Sequence, residues 1–213
     1  MIALVLRELR LAATAGHALL PLIFFLLVAA LFPFAVGPDA PLLARTGGGA
    51  LWMAALLAAL LPVERLVEPD RASGLLDQLA VRGISDESVA LAKLAGHWLS
   101  FGPPLMLATL PAAALLKLPG DVLSRLELGL LAGTPGLAAL TLITGALTAG
   151  LRGTSALAGL LMLPLAVPIL IFGAAMVEPS GGAGAVKLLA AVSLLLVAIA
   201  PFAAGAAIRA ARD

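Results

Sequence analysis

The sequence predicts an all-α membrane bundle of six spans, and three observations carry that prediction. The 213-residue chain is 62% hydrophobic and only 12% charged, whereas soluble domains are about 45–50% apolar. Its apolar residues gather into six runs near the roughly 20 residues that a helix needs to cross a bilayer core. Most of the charge lies in the stretches that separate those runs. The net charge of +1 and the absence of a polybasic run point to no nucleic-acid partner. With no cysteine, disulfides, thiol chemistry and CxxCH haem attachment are excluded.

Residues 1–17, MIALVLRELRLAATAGH, come first. Ile2, Val5, Leu6, Leu9 and Ala13 recur at helical spacing, and Arg7, Arg10, Thr14 and His17 share the opposite stripe. This predicts an N-terminal amphipathic interfacial helix along the inner membrane surface, its arginines among lipid phosphates; a plain cytoplasmic extension of the first span is the simpler alternative. The first span covers about 18–36. Ala35-Val36-Gly37 loosely resembles a signal-peptide cleavage site, but the preceding leader and apolar run are both long for one, so the span is expected to stay. The remaining spans are expected at about 47–63, 94–116, 128–150, 154–177 and 186–208.

Between the second and third runs lies LPVERLVEPDRASGLLDQLAVRGISDE, residues 61–87. Glu64, Arg65, Glu68, Asp70, Arg71 and Asp77 would each cost about 2.5–3.5 kcal/mol at a bilayer centre, so this island stays in water. Pro69 is expected to end a short helical pattern of Val63, Leu66 and Val67. Ser73 is expected to N-cap a second helix that Gly83 closes. Leu75, Leu76 and Leu79 would occupy one arc of that helix, with Asp77, Gln78 and Arg82 on the other. Ser85, followed by Asp86 and Glu87, reads as the N-terminus of the next helix. Residues 64–82 are therefore read as a cytoplasmic coupling segment that docks an ATPase, against the plainer reading of a solvated turn joining two spans.

Lysine and arginine set the orientation. A cytoplasmic N-terminus puts nine of them inside (Arg7, Arg10, Arg65, Arg71, Arg82, Lys93, Arg152, Arg209 and Arg212) and four outside (Arg45, Lys117, Arg125 and Lys187). Both termini are then cytoplasmic.

Several chemistries lack their motifs. No GxxxxGK[ST] occurs, so any ATP hydrolysis belongs to a separate subunit; HExxH and GxSxG are missing as well. No Asp, Glu, Lys or Arg lies well inside the expected spans, which disfavours proton-coupled transport and intramembrane acid–base catalysis. The only histidines, His17 and His97, are expected near the cytoplasmic interface as amphipathic tips, with haem ligation the less favoured role. Trp52 and Trp98 read as interfacial or packing residues. Gly129-x-x-x-Gly133 permits close helix contact, either within one subunit or at a dimer seam. Gly133, Thr134, Pro135 and Gly136 are expected to interrupt the fourth span, and Pro164 and Pro168 the fifth, as either hinges or static kinks.

Taken together, these passages resemble the haem exporter protein B family of cytochrome c maturation (CcmB). The resemblance rests on LFPFAVGP at 31–38, ERLVEPDRASGLLDQL at 64–79, KLAGHWL at 93–99, GTPGLAALTLITGALTAGLR at 133–152 and LPLAVPILIFG at 163–173. It runs from Arg7-Glu8-Leu9 nearly to the end of the fifth span; the sixth matches by hydropathy alone. Ser73-Gly74 and Glu68-Pro69 depart from the family pattern.

The resemblance implies an ABC-2-type, permease-like, non-catalytic membrane subunit. It would dock a cytosolic ABC ATPase (CcmA-like) and assemble with a haem-handling membrane subunit (CcmC-like) and a small subunit (CcmD-like). ATP would be bound by the partner and haem handled by the complex, with release of a haem-loaded periplasmic chaperone coupled to ATP hydrolysis. The chain itself would bind no cofactor or metal. Six spans are half of a usual exporter, so a second copy or another membrane subunit should complete it; a homodimer is expected within the complex, in the inner membrane and surrounded by lipid. Partner contacts are expected from Glu64, Arg65, Glu68, Asp70, Arg71, Asp77 and Gln78, with Gly74 permitting close approach. An ABC permease for a lipid or drug is the alternative reading.

Overall fold

The computed structural model describes residues 1–14, 19–151, 154–178 and 183–212, and every regular element among them is helical. The order is α1 (Ile2–Thr14), α2 (Leu19–Val36), α3 (Ala40–Leu60), α4 (Val63–Leu66), α5 (Glu68–Ala72), α6 (Leu75–Val81), α7 (Asp86–Leu115), α8 (Gly120–Thr148), α9 (Thr154–Val177) and α10 (Ala183–Ala210). Six of these, α2, α3, α7, α8, α9 and α10, are long and apolar enough to cross a membrane. His17 and Arg152 lie outside the described residues.

Helix ends follow local chemistry rather than the limits of the apolar runs. α3 begins at Ala40 with Pro41 in its first turn, where the missing amide costs nothing. α7 begins at Asp86, about two turns before its apolar run, because Ser85 Oγ accepts the Ser88 N–H at 3.2 Å. α8 begins at Gly120, directly after Pro119. The longer helices take in Lys93 and Glu127, which lie about two turns inside α7 and α8 and just before the apolar runs expected at 94–116 and 128–150.

Trp52 of α3 is fully buried at the centre of the bundle. Its indole sits against Gly129 and Gly133 of α8 and Gly173 of α9, where an added Cβ would come within 3.0, 2.7 and 2.6 Å of the ring. The GxxxG pattern is therefore an internal seat for a tryptophan, which decides for packing within one chain. Gly136 approaches α10 closely: its N–H donates to Ser193 Oγ at 2.9 Å, and an added Cβ would lie 2.9 Å from Ser193 Cα. Trp98 Nε1 donates to Thr134 Oγ1 at 3.1 Å, joining α7 to α8.

Consequently residues 133–136 do not interrupt the fourth span; α8 runs through Pro135. α9 likewise runs through Pro164 and Pro168, both on its exposed side, while Met162, Ala166 and Ile169 face inward. A proline deletes one amide donor, and the surrounding helix persists where packing holds it on both sides.

α10 packs against α7, α8 and α9; α2 packs against α3 and α7; α1 lies against α7. One end of the bundle gathers α1, the α4–α6 island, the start of α7, the turn after α8 and the end of α10, as the contacts described next demonstrate.

Candidate functional site

The island is three short helices. α4 ends at Leu66, Val67 breaks the backbone, and Pro69 falls in the first turn of α5. Pro69 thus starts a helix instead of ending one, as its fixed φ favours. Ser73 does not N-cap α6. It follows α5 as its C-cap and its Oγ donates to the Asp70 carbonyl at 3.3 Å, while Gly74, at φ +70°, turns the chain into α6. That left-handed turn explains the glycine; no atom outside the adjacent residues lies within 4 Å of where its Cβ would be.

The end of α6 is as expected. Gly83, at φ +76°, donates to Ala80 O at 2.9 Å and Ile84 N–H donates to Leu79 O at 3.1 Å, the paired bonds of a glycine-terminated helix. Leu76 and Leu79 are buried and Leu75 is half-buried, while Asp77, Gln78 and Arg82 are exposed.

Asp70 does not face outward. It is only 6% exposed, and its carboxylate accepts from Arg7 Nη1 and Nη2 at 3.1 and 2.5 Å and from Lys93 Nζ. Glu8 joins the cluster, accepting from Arg7 Nη1 at 2.7 Å and from Lys93 Nζ at 3.4 Å. Four charges of opposite sign in pairs, drawn from α1, α5 and α7, thus neutralise one another. Lys93 is buried, and a buried ammonium demands a carboxylate. Arg7 is therefore not among lipid phosphates: it turns inward to join the interfacial helix to the island. Burial alone would push the Asp70 carboxyl up, but the Arg7 hydrogen bonds and the Lys93 charge outweigh it and hold the group below the usual carboxylate range.

Two further clasps fix the island. Glu68 accepts from Arg71 Nε and Nη2 at 3.0 and 2.9 Å and from the Gly150 N–H at 2.7 Å, tying α5 to the turn after α8. The hydrogen bond from Arg71, with that from Gly150, holds the Glu68 carboxyl below its ordinary value. At the other side, Arg212 Nη2 and Arg209 Nε donate to Asp86 Oδ2 at 2.9 and 3.2 Å, and Arg209 Nη2 donates to Glu87 at 2.8 Å. Arg212 Nη1 also reaches the Leu76 carbonyl at 3.4 Å. The end of α10 therefore holds both α6 and the start of α7.

The expected site residues separate into two groups. Asp70, Glu68 and Arg71 face the protein and position the island, whereas Glu64, Arg65, Asp77 and Gln78 are exposed. The sequence reading missed Glu8, Asp86, Arg209, Arg212 and Gly150 as holding residues and gave Arg7 and Lys93 no partner; a lysine two turns inside a helix that enters the membrane was the one available signal.

His97 was expected as an interfacial tip. It is instead 5% exposed, its ring stacks at a tilt on Phe101 with centroids 4.8 Å apart, and Nε2 has no hydrogen-bond partner. It lines a cavity of about 130 Å³ between α1, α2, α4, α5 and α7. No group of three or more metal-ligating side chains occurs among the described residues.

A family model described as CcmB protein matches residues 1–211. The chain is 45% identical to heme exporter protein B of Rhodobacter capsulatus, covering 98% of both chains. It is 45% identical to the protein of that name from Paracoccus denitrificans, again over 98% of both. The Haemophilus influenzae relative of the same name is 43% identical, over 97% of this chain and 96% of its own.

Proposed function

The chain belongs to the CcmB protein family, and from that premise we propose that it is the membrane permease subunit of an ABC complex serving heme export for cytochrome c maturation. The names of its relatives support a part in heme export. In this reading the chain is not an enzyme: a separate cytosolic ATPase (CcmA-like) docks on the island, and its work is coupled to heme delivery or to release of a heme-loaded periplasmic chaperone. Haem-handling and small subunits (CcmC-like and CcmD-like) and a second copy of this chain complete the assembly. The island end faces the cytosol of a bacterial inner-membrane protein, as its excess of lysine and arginine favours.

The observation that carries the docking surface is the outer side of α6. Asp77, Gln78, Val81 and Arg82 form a shallow exposed hollow, and Val81 is 89% exposed, an apolar side chain at the centre of a polar rim. The helix behind it is held at its N-terminal end, where Gly74 joins it to α5 and Arg212 reaches Leu76 O, and along its inner face by the buried Leu76 and Leu79. A force on this face therefore passes into α1, α7 and α10 instead of being absorbed by a loose loop. Asp70 contributes by holding α5 in place, not by touching the ATPase.

Co-purification from cells expressing this chain with its ATPase tests the reading. Val81→Asp, which places a charge at the rim's centre without touching the core, is expected to lower bound ATPase about tenfold, the loss of one modest anchor. Lys117→Gln, at the opposite end of the bundle, should leave it unchanged. Equal recovery of ATPase with wild type and Val81→Asp would overturn the docking surface.

A further inference from the structure

The cavity beside His97 has a use that the coupling reading does not require. Most of its wall is apolar, with Leu11, Pro21 and Phe101 among the lining side chains, and its polar part is built from Lys93, Asp70, Glu8, Arg65 and His97. The imidazole of His97 is buried and its Nε2 lacks a partner, an arrangement that costs free energy unless something enters to satisfy it. Lys93, Asp70, Glu8 and the adjoining Arg7 cancel one another's charge. Arg65 lies exposed at the rim and has no carboxylate partner among the described ion pairs, so it leaves the site with one net positive charge.

We propose that this cavity binds the phosphate end of an anionic glycerophospholipid from the leaflet on which α1 lies. Its volume of about 130 Å³ is that of a small ring or head group, far below that of a porphyrin. The phosphate accepts hydrogen bonds from the Arg65 guanidinium and from His97 Nε2–H, the tautomer that an acceptor selects. The acyl chains leave the cavity past Leu11 and run over the exposed side chains of Leu19, Leu20 and Ile23 at the start of α2. The lipid thereby wedges between α1 and α7 and stiffens the interfacial helix against the island.

Native mass spectrometry of delipidated protein in micelles containing equal phosphatidylglycerol and phosphatidylcholine tests this. Wild type should retain phosphatidylglycerol about tenfold better than phosphatidylcholine, with Arg65→Gln and His97→Leu each reducing that adduct to the phosphatidylcholine level. Leucine fills the space of the imidazole and residue 65 is at the surface, so both variants keep the fold. Lys187→Gln should match wild type. Equal retention of the two lipids, or wild-type retention by both variants, would overturn the site. Displacement by excess inorganic phosphate would show that a free anion, not a lipid, is the ligand and would overturn it as well. These readouts involve no ATPase, so they fail or succeed independently of the docking surface on α6.

Discussion

Asp70 ties three elements together, because its carboxylate on α5 accepts from Arg7 of α1 and from Lys93 of α7. Replacing it by alanine leaves Lys93 buried beside Glu8 alone, and the loss of one partner from a buried ion pair costs about 3 kcal/mol. Thermal unfolding in detergent should record that loss, and Asp70→Ala/Lys93→Met should recover part of it. The pH dependence follows from the depressed carboxyl. The stabilisation is complete above the unfolded value of about 4 and disappears as pH falls through the lower folded value, since protonation then favours the unfolded chain. The melting temperature of wild type should therefore drop more steeply below about pH 4 than that of Asp70→Asn. None of these pairings was legible in the sequence. Arg7 and Asp70 lie 63 positions apart and Glu8 and Lys93 85 apart, separations at which periodicity says nothing about contact.

Elements were legible to the extent that local chemistry fixes them. Gly83 and Ser85 mark helix ends through backbone bonds to near neighbours, and both act as their residue types predict. Ser73 and Pro69 did not, because each fits two positions: a serine suits either end of a turn, and a proline that closes one pattern can open the next helix. Glycines show the same division between local and distant causes. Gly47, Gly48 and Gly49 are adjacent in α3, yet an added Cβ would lie 3.1 Å from Leu116 at the first and 2.9 Å from Val177 at the second, and would meet nothing within 4 Å at the third. Gly49→Ala should thus raise stability by up to about 1 kcal/mol through helix propensity. Gly48→Ala, with the branched Cβ of Val177 in the way, should lower it by about 1–3 kcal/mol. Equilibrium unfolding of the two variants should differ in sign.

At the scale of the molecule, the six apolar runs sufficed for the fold class, since a bilayer leaves helices as the way to satisfy the backbone of such segments. The gathering of both termini and the island at one end follows from six crossings together with the observed ion pairs. Sidedness is open to a direct measurement, because the chain contains no cysteine. Single cysteines at Ser73 and at Lys117 should react with an impermeant maleimide from opposite faces of sealed vesicles, Ser73→Cys from the cytosolic one. Labelling of both from the same face would contradict the proposed orientation.

The arginines at the end of α10 add a constraint in time. Arg209 lies 123 positions after Asp86, and Arg212 lies 126 after it. A ribosome therefore delivers the platform for α6 long before it delivers the two side chains that fasten it. A nascent copy halted at Ala207 would already hold all six hydrophobic segments, yet α6 would still be unlatched, so fastening of the island must wait for Arg209 and Arg212 to emerge.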